Sequence, residues 1–413
     1  MNVGVDGVVG TAIPPVALYI HVPFCVSLCP YCDFVVIAGA ATRGPTAKVG
    51  AFLEALDREL GLRADRLDDR FGRPGTPGRP ALETIYFGGG TPSILPADDI
   101  ERILGLVHER YGVADGAEIT LEANPGPDER GDPALLRRAG ISRISFGAQS
   151  LDDTELRRLG RRHRARHVGA AVAEAREAGI GSINVDLLYD IPDSDMPTWM
   201  ATLDRVLEMA PEHLSLYALS LDDPDAEGLT GPSGDHLPVT KGARRWREGM
   251  RPGQDEDRAA AQYHHAATTL AEAGYRGYEI SNWARPGHES RHNLAYWLRR
   301  PHEAVGPGAH AFDGAVRRWN AARLDGYLAS LAAGELPPGG TIPPDPVAEA
   351  LEAIILALRL DTGVPLATAH EPPLADHFGW ALAAELLTVT DDDRVVFTTR
   401  GRLLSNELFH RLL

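Results

Sequence analysis

Residues 16–34 read Val16-Ala-Leu-Tyr19-Ile-His21-Val-Pro-Phe-Cys25-Val-Ser-Leu-Cys29-Pro-Tyr31-Cys32-Asp33-Phe34. A short apolar run, Val16–His21, leads directly into three cysteines at spacings of four and three. The run has the Val/Ile/Leu/Tyr content of a strand buried on both faces, as parallel strands are. The same signature recurs at Leu82–Phe87, Glu118–Glu122, Arg143–Phe146, Ser182–Leu187 and His213–Leu219. Amphipathic patterns lie between them: Phe52, Leu53, Leu56 and Leu60, then Ile100, Ile103, Leu104 and Val107, then Met196–Met209. Strands alternating with helices predict an α/β fold of right-handed βαβ units around a parallel sheet, open or curled towards a barrel. Six units over about 210 residues are too few for the eight-unit barrel and enough for a partial, TIM-like (βα)6 one.

The chain has 413 residues with 41 Lys+Arg against 58 Asp+Glu, a net charge of −17 that argues against a general polyanion binder. Its three cysteines are all in this one window, which excludes a disulfide scaffold and points to a reducing cytoplasm. Residues 1–15 form an N-terminal extension with no basic n-region, interrupted by Asp6, so no signal peptide is expected. Apolar runs such as Ala353–Leu358 stop short of the roughly 20 residues of a membrane helix.

Three thiolates so spaced converge on one metal centre only if the backbone loops around it, which Pro23 and Pro30 favour. A structural zinc site normally wants four ligands, so His21 or Asp33 would have to be the fourth. An iron–sulfur cluster held by three thiolates instead keeps one iron open for chemistry. CxxxCxxC with an aromatic residue before the last Cys resembles the signature of the radical S-adenosylmethionine (SAM) enzymes. The resemblance implies a 4Fe–4S cluster on Cys25, Cys29 and Cys32. Its open iron would chelate SAM, which reduction cleaves to a 5′-deoxyadenosyl radical.

Parallel (βα) layers carry their functional groups at the C-terminal ends of the strands. There the chain places Gly88-Gly89-Gly90-Thr91-Pro92, whose backbone N–H groups are expected to face an anion such as the SAM carboxylate. The next strand ends carry Glu122-Ala-Asn-Pro, Gly147-Ala-Gln149-Ser, Asp186 and Tyr217-Ala218, with Glu122 a candidate acceptor for ribose hydroxyls. The order GGGTP, EANP, GxQS, NxDL resembles the branch related to oxygen-independent coproporphyrinogen III oxidase, over nearly the whole chain. By that resemblance Tyr19, Tyr31, Gly89, Gly90, Thr91, Glu122, Gln149, Arg161, Asp186 and Ala218 contact SAM.

Two features divide the branch. The porphyrinogen-oxidising members extend the cluster motif to CxxxCxxCxC, whereas Phe34 stands at that position here. Residues 292–297 read His292-Asn293-Leu-Ala-Tyr296-Trp297, and HNxxYW resembles the hallmark of the HemW-type heme chaperones. In a helix His292 and Tyr296 share a face. Imidazole is a usual axial ligand of heme iron and tyrosine an occasional one, so His292, Asn293, Tyr296 and Trp297 are the candidate heme residues. The alternative is an aromatic cluster that only supports the barrel edge.

The sequence thus predicts a heme chaperone carrying the cluster, SAM and heme. It would deliver heme to acceptor hemoproteins, membrane-bound respiratory enzymes among them, with homodimerisation compatible. The rival is a catalytic radical enzyme, either coproporphyrinogen III oxidase or a related methyltransferase; a zinc-structured module is the third reading.

By composition, residues 16–222 form the partial barrel and 259–340 a barrel-completing segment that contains HNxxYW. Between them 223–258, with six Gly and four Pro, is expected to be a mobile loop. Asp190-Ile-Pro-Asp193 departs from the Gly-Leu-Pro-Gly of relatives in the branch. Residues 345–413 show helices, a hairpin and a last helix, Arg400–Leu412, in a pattern that resembles a winged helix. Eleven acidic against five basic side chains there argue against nucleic acid.

Overall fold

A computed structural model describes residues 11–42, 47–222 and 229–412; the rest of the N-terminal extension and part of the insertion lie outside these. Six parallel strands form the core: β1 (Ala17–Val22), β2 (Leu82–Gly89), β3 (Val113–Ala123), β4 (Arg143–Gln149), β5 (Ser182–Tyr189) and β6 (His213–Ala218). They pair in sequence order, as successive βαβ units require. A seventh parallel strand, His302–Val305, lies on the other side of β1. Antiparallel strands extend both edges, His310–Phe312, Arg317–Asn320 and Gly339–Ile342 beyond it, and Asn282–Ala284 and Arg276–Gly277 beyond β6.

The partial barrel is packed between this sheet and the helices Val49–Phe71, Ala97–Tyr111, Ala165–Glu177 and Met196–Glu208. Each turns one apolar stripe inward, for example Ile100, Ile103, Leu104 and Val107. One polar group is sealed into the packing: Glu59 pairs with Arg63 (2.7 Å) and accepts from Tyr327 Oη and Gly306 N (both 2.8 Å).

The insertion departs from the expected loop. Helix Lys241–Met250 forms there, capped by Thr240 Oγ1, and helix Glu256–Glu272 begins inside it behind Asp255. Its anchor is polar: Arg247 is buried, which hydrophobic periodicity cannot reveal. Trp246 and Met250 join a small cluster with Tyr31, Ile191 and Leu219.

The C-terminal unit runs helix Pro346–Arg359, strand Val364–Pro365, helices Leu366–Ala369 and Leu374–Ala383, then strands Leu387–Val389 and Arg394–Phe397. The last strand lies between the other two, the winged-helix arrangement, around a separate core that includes Ile354, Phe378, Val395 and Leu408. The expected final helix is two, Thr399–Leu403 and Ser405–Leu412. Buried Glu279 ties the unit to the barrel through Arg359 (3.1 Å), and Arg402 donates to the Gly277 and Glu279 carbonyls. No helix among the described residues is long and apolar enough to cross a membrane.

Candidate cofactor and cluster site

The segment after β1 is closed at its base, where Phe24–Cys25 pairs with Ile37–Ala38 and Ile37 N donates to Pro23 O (2.6 Å). This folds the cysteine segment into a loop over the C-terminal ends of the strands. The pocket below it, about 420 Å³, is lined by Cys25, Cys29 and Cys32 together with Tyr31, Gly89, Gly90, Thr91, Glu122, Gln149, Arg161, Asp186, Ala218 and Asn293. Strand register assembles its floor. Glu122 lies beside Ser145 and Ser145 beside Asn184, while Gly147 lies beside Asp186 and Asp186 beside Ser215.

Burial pushes the Cys25 thiol up to about 11 and the Cys32 thiol to about 12. Thiolates at these positions therefore need a compensating cationic centre. Two donors already point at sulfur: Thr91 Oγ1 at Cys25 Sγ and Arg161 Nη1 at Cys29 Sγ, both 3.4 Å. Both proposed fourth ligands already have partners. His21 bonds Tyr19 Oη (3.0 Å) and Val35 O (2.7 Å) through its two ring nitrogens, and Asp33 pairs with Arg247. Among the described residues no group of three or more His, Cys, Asp or Glu could hold a single metal ion. Three thiols with sulfur-directed donors and no fourth ligand fit an iron–sulfur cluster with one open iron.

The glycine run does not work as expected. Gly89 N donates to Glu122 Oε2 (2.9 Å), Gly90 N to Val22 O (2.8 Å) and Thr91 N to Phe24 O (2.8 Å), so these amides are already used. Glycine is required there by close approach: a Cβ on Gly89 would lie 2.4 Å from His21 Cε1, and one on Gly90 2.6 Å from Phe24 O.

Glu122 also accepts from Tyr86 Oη (2.8 Å), and burial raises its carboxyl to about 7. Asp186, raised by burial, accepts from Ser145 Oγ (3.0 Å) and Asn184 Nδ2 (2.7 Å). Arg161 reaches across the floor to Asn124 Oδ1 and Gly147 O. Tyr86, Ser145 and Ser215 escaped the sequence analysis, while Asn124 and Asn184 stand in its EANP and NxDL motifs with no role assigned. Polar residues on alternate positions of otherwise apolar strands, as in Asn184/Asp186, were the available signal.

Tyr19 and, of the HNxxYW residues, His292, Tyr296 and Trp297 lie apart from this pocket, whereas Asn293 lines it. Tyr19 lines a neighbouring cavity, because β1 stands between β2 and the seventh strand and its ring packs beside Ala304, Ala309 and Ala311. HNxxYW lies on helix Arg291–Trp297, with His292 and Tyr296 on one face and bonded to each other (2.8 Å). His292 is fully buried, and its other nitrogen bonds Thr84 Oγ1 (2.8 Å). The expected ligand thus has no bare nitrogen; it pins the helix to β2. Trp297 lines the neighbouring cavity with Tyr296, and Arg359 lies 4.3 Å from the centre of its ring.

The loop departure after β5 is resolved by its side chains. Asp190 and Asp193 both hold φ of 55°, the left-handed region that favours glycine. Asp190 offsets that strain by accepting from Arg258 Nη2 (2.8 Å) and Asp255 N (3.1 Å).

The fold is that of a radical SAM protein, and the Radical SAM superfamily model matches residues 19–206. The heme chaperone HemW of Mycobacterium tuberculosis (strain H37Rv) is 35% identical over 97% of this chain and 95% of its own. That of Escherichia coli (strain K12) is 34% identical over 72% and 70%. The structure of E. coli coproporphyrinogen III oxidase (HemN) superposes with a TM-score of 0.77 at 22% identity, covering 97% of this chain and 90% of that one. The chain belongs to the HemW family of radical SAM proteins.

Proposed function

We propose that this protein is a heme chaperone. It holds a 4Fe–4S cluster on Cys25, Cys29 and Cys32, takes up SAM on the strand ends that carry Glu122, Gln149, Arg161 and Asp186, and delivers bound heme to acceptor hemoproteins, including respiratory ones. The cluster supplies an open iron for SAM; the chain's residues supply donors to sulfur and a sealed polar floor. The observation that carries this reading is HNxxYW on a helix that borders both cavities, Asn293 facing one and Tyr296 and Trp297 the other, in a chain similar throughout to HemW proteins. Phe34, 66% exposed, stands where the oxidases extend the cysteine motif, which argues against porphyrinogen oxidation.

Hemin titration of the anaerobically reconstituted protein, followed by transfer to an apo-hemoprotein, tests it. A stable Soret complex and transfer are expected. Failure to retain heme at micromolar hemin, or conversion of coproporphyrinogen III with formation of 5′-deoxyadenosine, would overturn it.

A further inference from the structure

The cavity beside the cofactor pocket measures about 450 Å³, within the range of small-molecule sites, and the two cavities share Asp33 and Phe34 as lining residues. Aromatic rings wall it, among them Tyr19, Tyr296, Trp297 and Phe312. Four histidines border it, and their bonding separates them. His21 has both nitrogens engaged. His236 and His310 are partly exposed and share the Asp235 carboxylate, at 2.9 and 3.1 Å.

His302 is different. It is 7% exposed, and its Nδ1 donates to the carbonyl of Arg300 (3.2 Å). That bond fixes the tautomer and the ring plane and leaves the Nε2 lone pair without a partner on a cavity wall. The Tyr296 ring meets it edge-on at 4.7 Å. Burial pushes its pKa down to about 4, so the ring is neutral near pH 7. A backbone-anchored neutral imidazole with one bare nitrogen is how proteins present histidine to a metal. Arg299 and Arg317 lie 5.4 and 4.9 Å from the Phe312 ring centre at the same end of the cavity, both paired with Glu352. Exchange of Glu352 for propionates would keep both guanidinium groups paired.

We propose that His302, rather than His292, ligates the heme iron, with the porphyrin among Tyr296, Trp297 and Phe312. The proposal rests on the heme-binding reading above and assigns its ligand. His292 then acts as a positioning residue that holds Tyr296.

The test uses full-length protein titrated with hemin, reduced, and examined by resonance Raman for the iron–histidine stretch. Wild type and His292→Ala should show the stretch. His302→Ala should lose it and bind hemin at least tenfold more weakly, and millimolar imidazole should restore a histidine-type spectrum. His302→Gln, of similar length and able to donate to Arg300 O, gives the same readout if the alanine variant does not fold. An unchanged stretch in the His302 variants overturns the ligand assignment and leaves heme binding intact. A wild type that takes up no hemin overturns the heme reading, and this assignment with it.

Discussion

Replacing Arg247 with alanine should loosen the cysteine loop without unfolding the barrel. This side chain is 3% exposed. It donates to the carbonyls of Pro30 (3.2 Å) and Cys32 (3.3 Å) within the loop and to that of Asp222, and it pairs with Asp33. Asp33 is about half exposed, so its ion pair adds little. The two loop carbonyls accept from a buried cation, and such bonds are worth ~1.5 kcal/mol each at the low end. The clamp therefore holds the loop by about 3 kcal/mol, roughly a hundredfold in its opening equilibrium. The assay is the rate at which a ferrous chelator strips iron from the anaerobically reconstituted protein. Arg247→Ala should lose iron about a hundredfold faster than wild type, and Arg247→Lys should fall between them, because one ammonium cannot reach all four acceptors. Arg251→Ala, which removes a bond to Leu221 O (2.7 Å) outside the loop, should leave the rate unchanged. Loss from Arg247→Ala within threefold of wild type would refute the clamp.

Glu122, raised from 4.5 to about 7, makes stability depend on pH. The folded state then binds more protons than the unfolded one between these values. Its contribution is full below about pH 4.5 and is lost as pH rises through 7. Urea titrations from pH 5 to 8 should show wild type losing up to about 3 kcal/mol relative to Glu122→Gln, which has no such proton. Glu59→Ala leaves Arg63 buried without its carboxylate and should cost about 3–5 kcal/mol in chemical denaturation. At position 190, glycine should be more stable than alanine by about 1 kcal/mol, since both lose the Arg258 pair but only alanine keeps the left-handed strain; equal denaturation midpoints would contradict this.

Much of the barrel was legible because its information is local. Six apolar runs alternate with amphipathic ones, and each run falls within one residue of an observed strand. The strands β2, β4 and β5 continue past the expected ends by two or three residues, through Gly88-Gly89, Gly147-Ala-Gln149 and Leu188-Tyr189. Small and polar residues ended the apolar signal in β2 and β4 while the ladder continued, whereas Leu188-Tyr189 prolong β5 as buried apolar residues. The helix Lys241–Met250 was missed for a related reason, since it is anchored by one buried arginine rather than an apolar stripe. The glycine run was recognised, but its spacing carries no record of where its amides donate.

The sequence by itself determined the class of fold and the family, and singled out the three-cysteine window. Residue period and motif spacing are properties of contiguous chain, and so survive without coordinates. Only the tertiary structure decided what each polar atom is free to do. His292 stands in the recognisable motif, yet Thr84, 208 positions away, takes one of its nitrogens. His302 stands in no motif, and its bare nitrogen appears only when the seventh strand packs beside β1. Ligation depends on which lone pairs remain unused after folding, and partners distant in sequence set that.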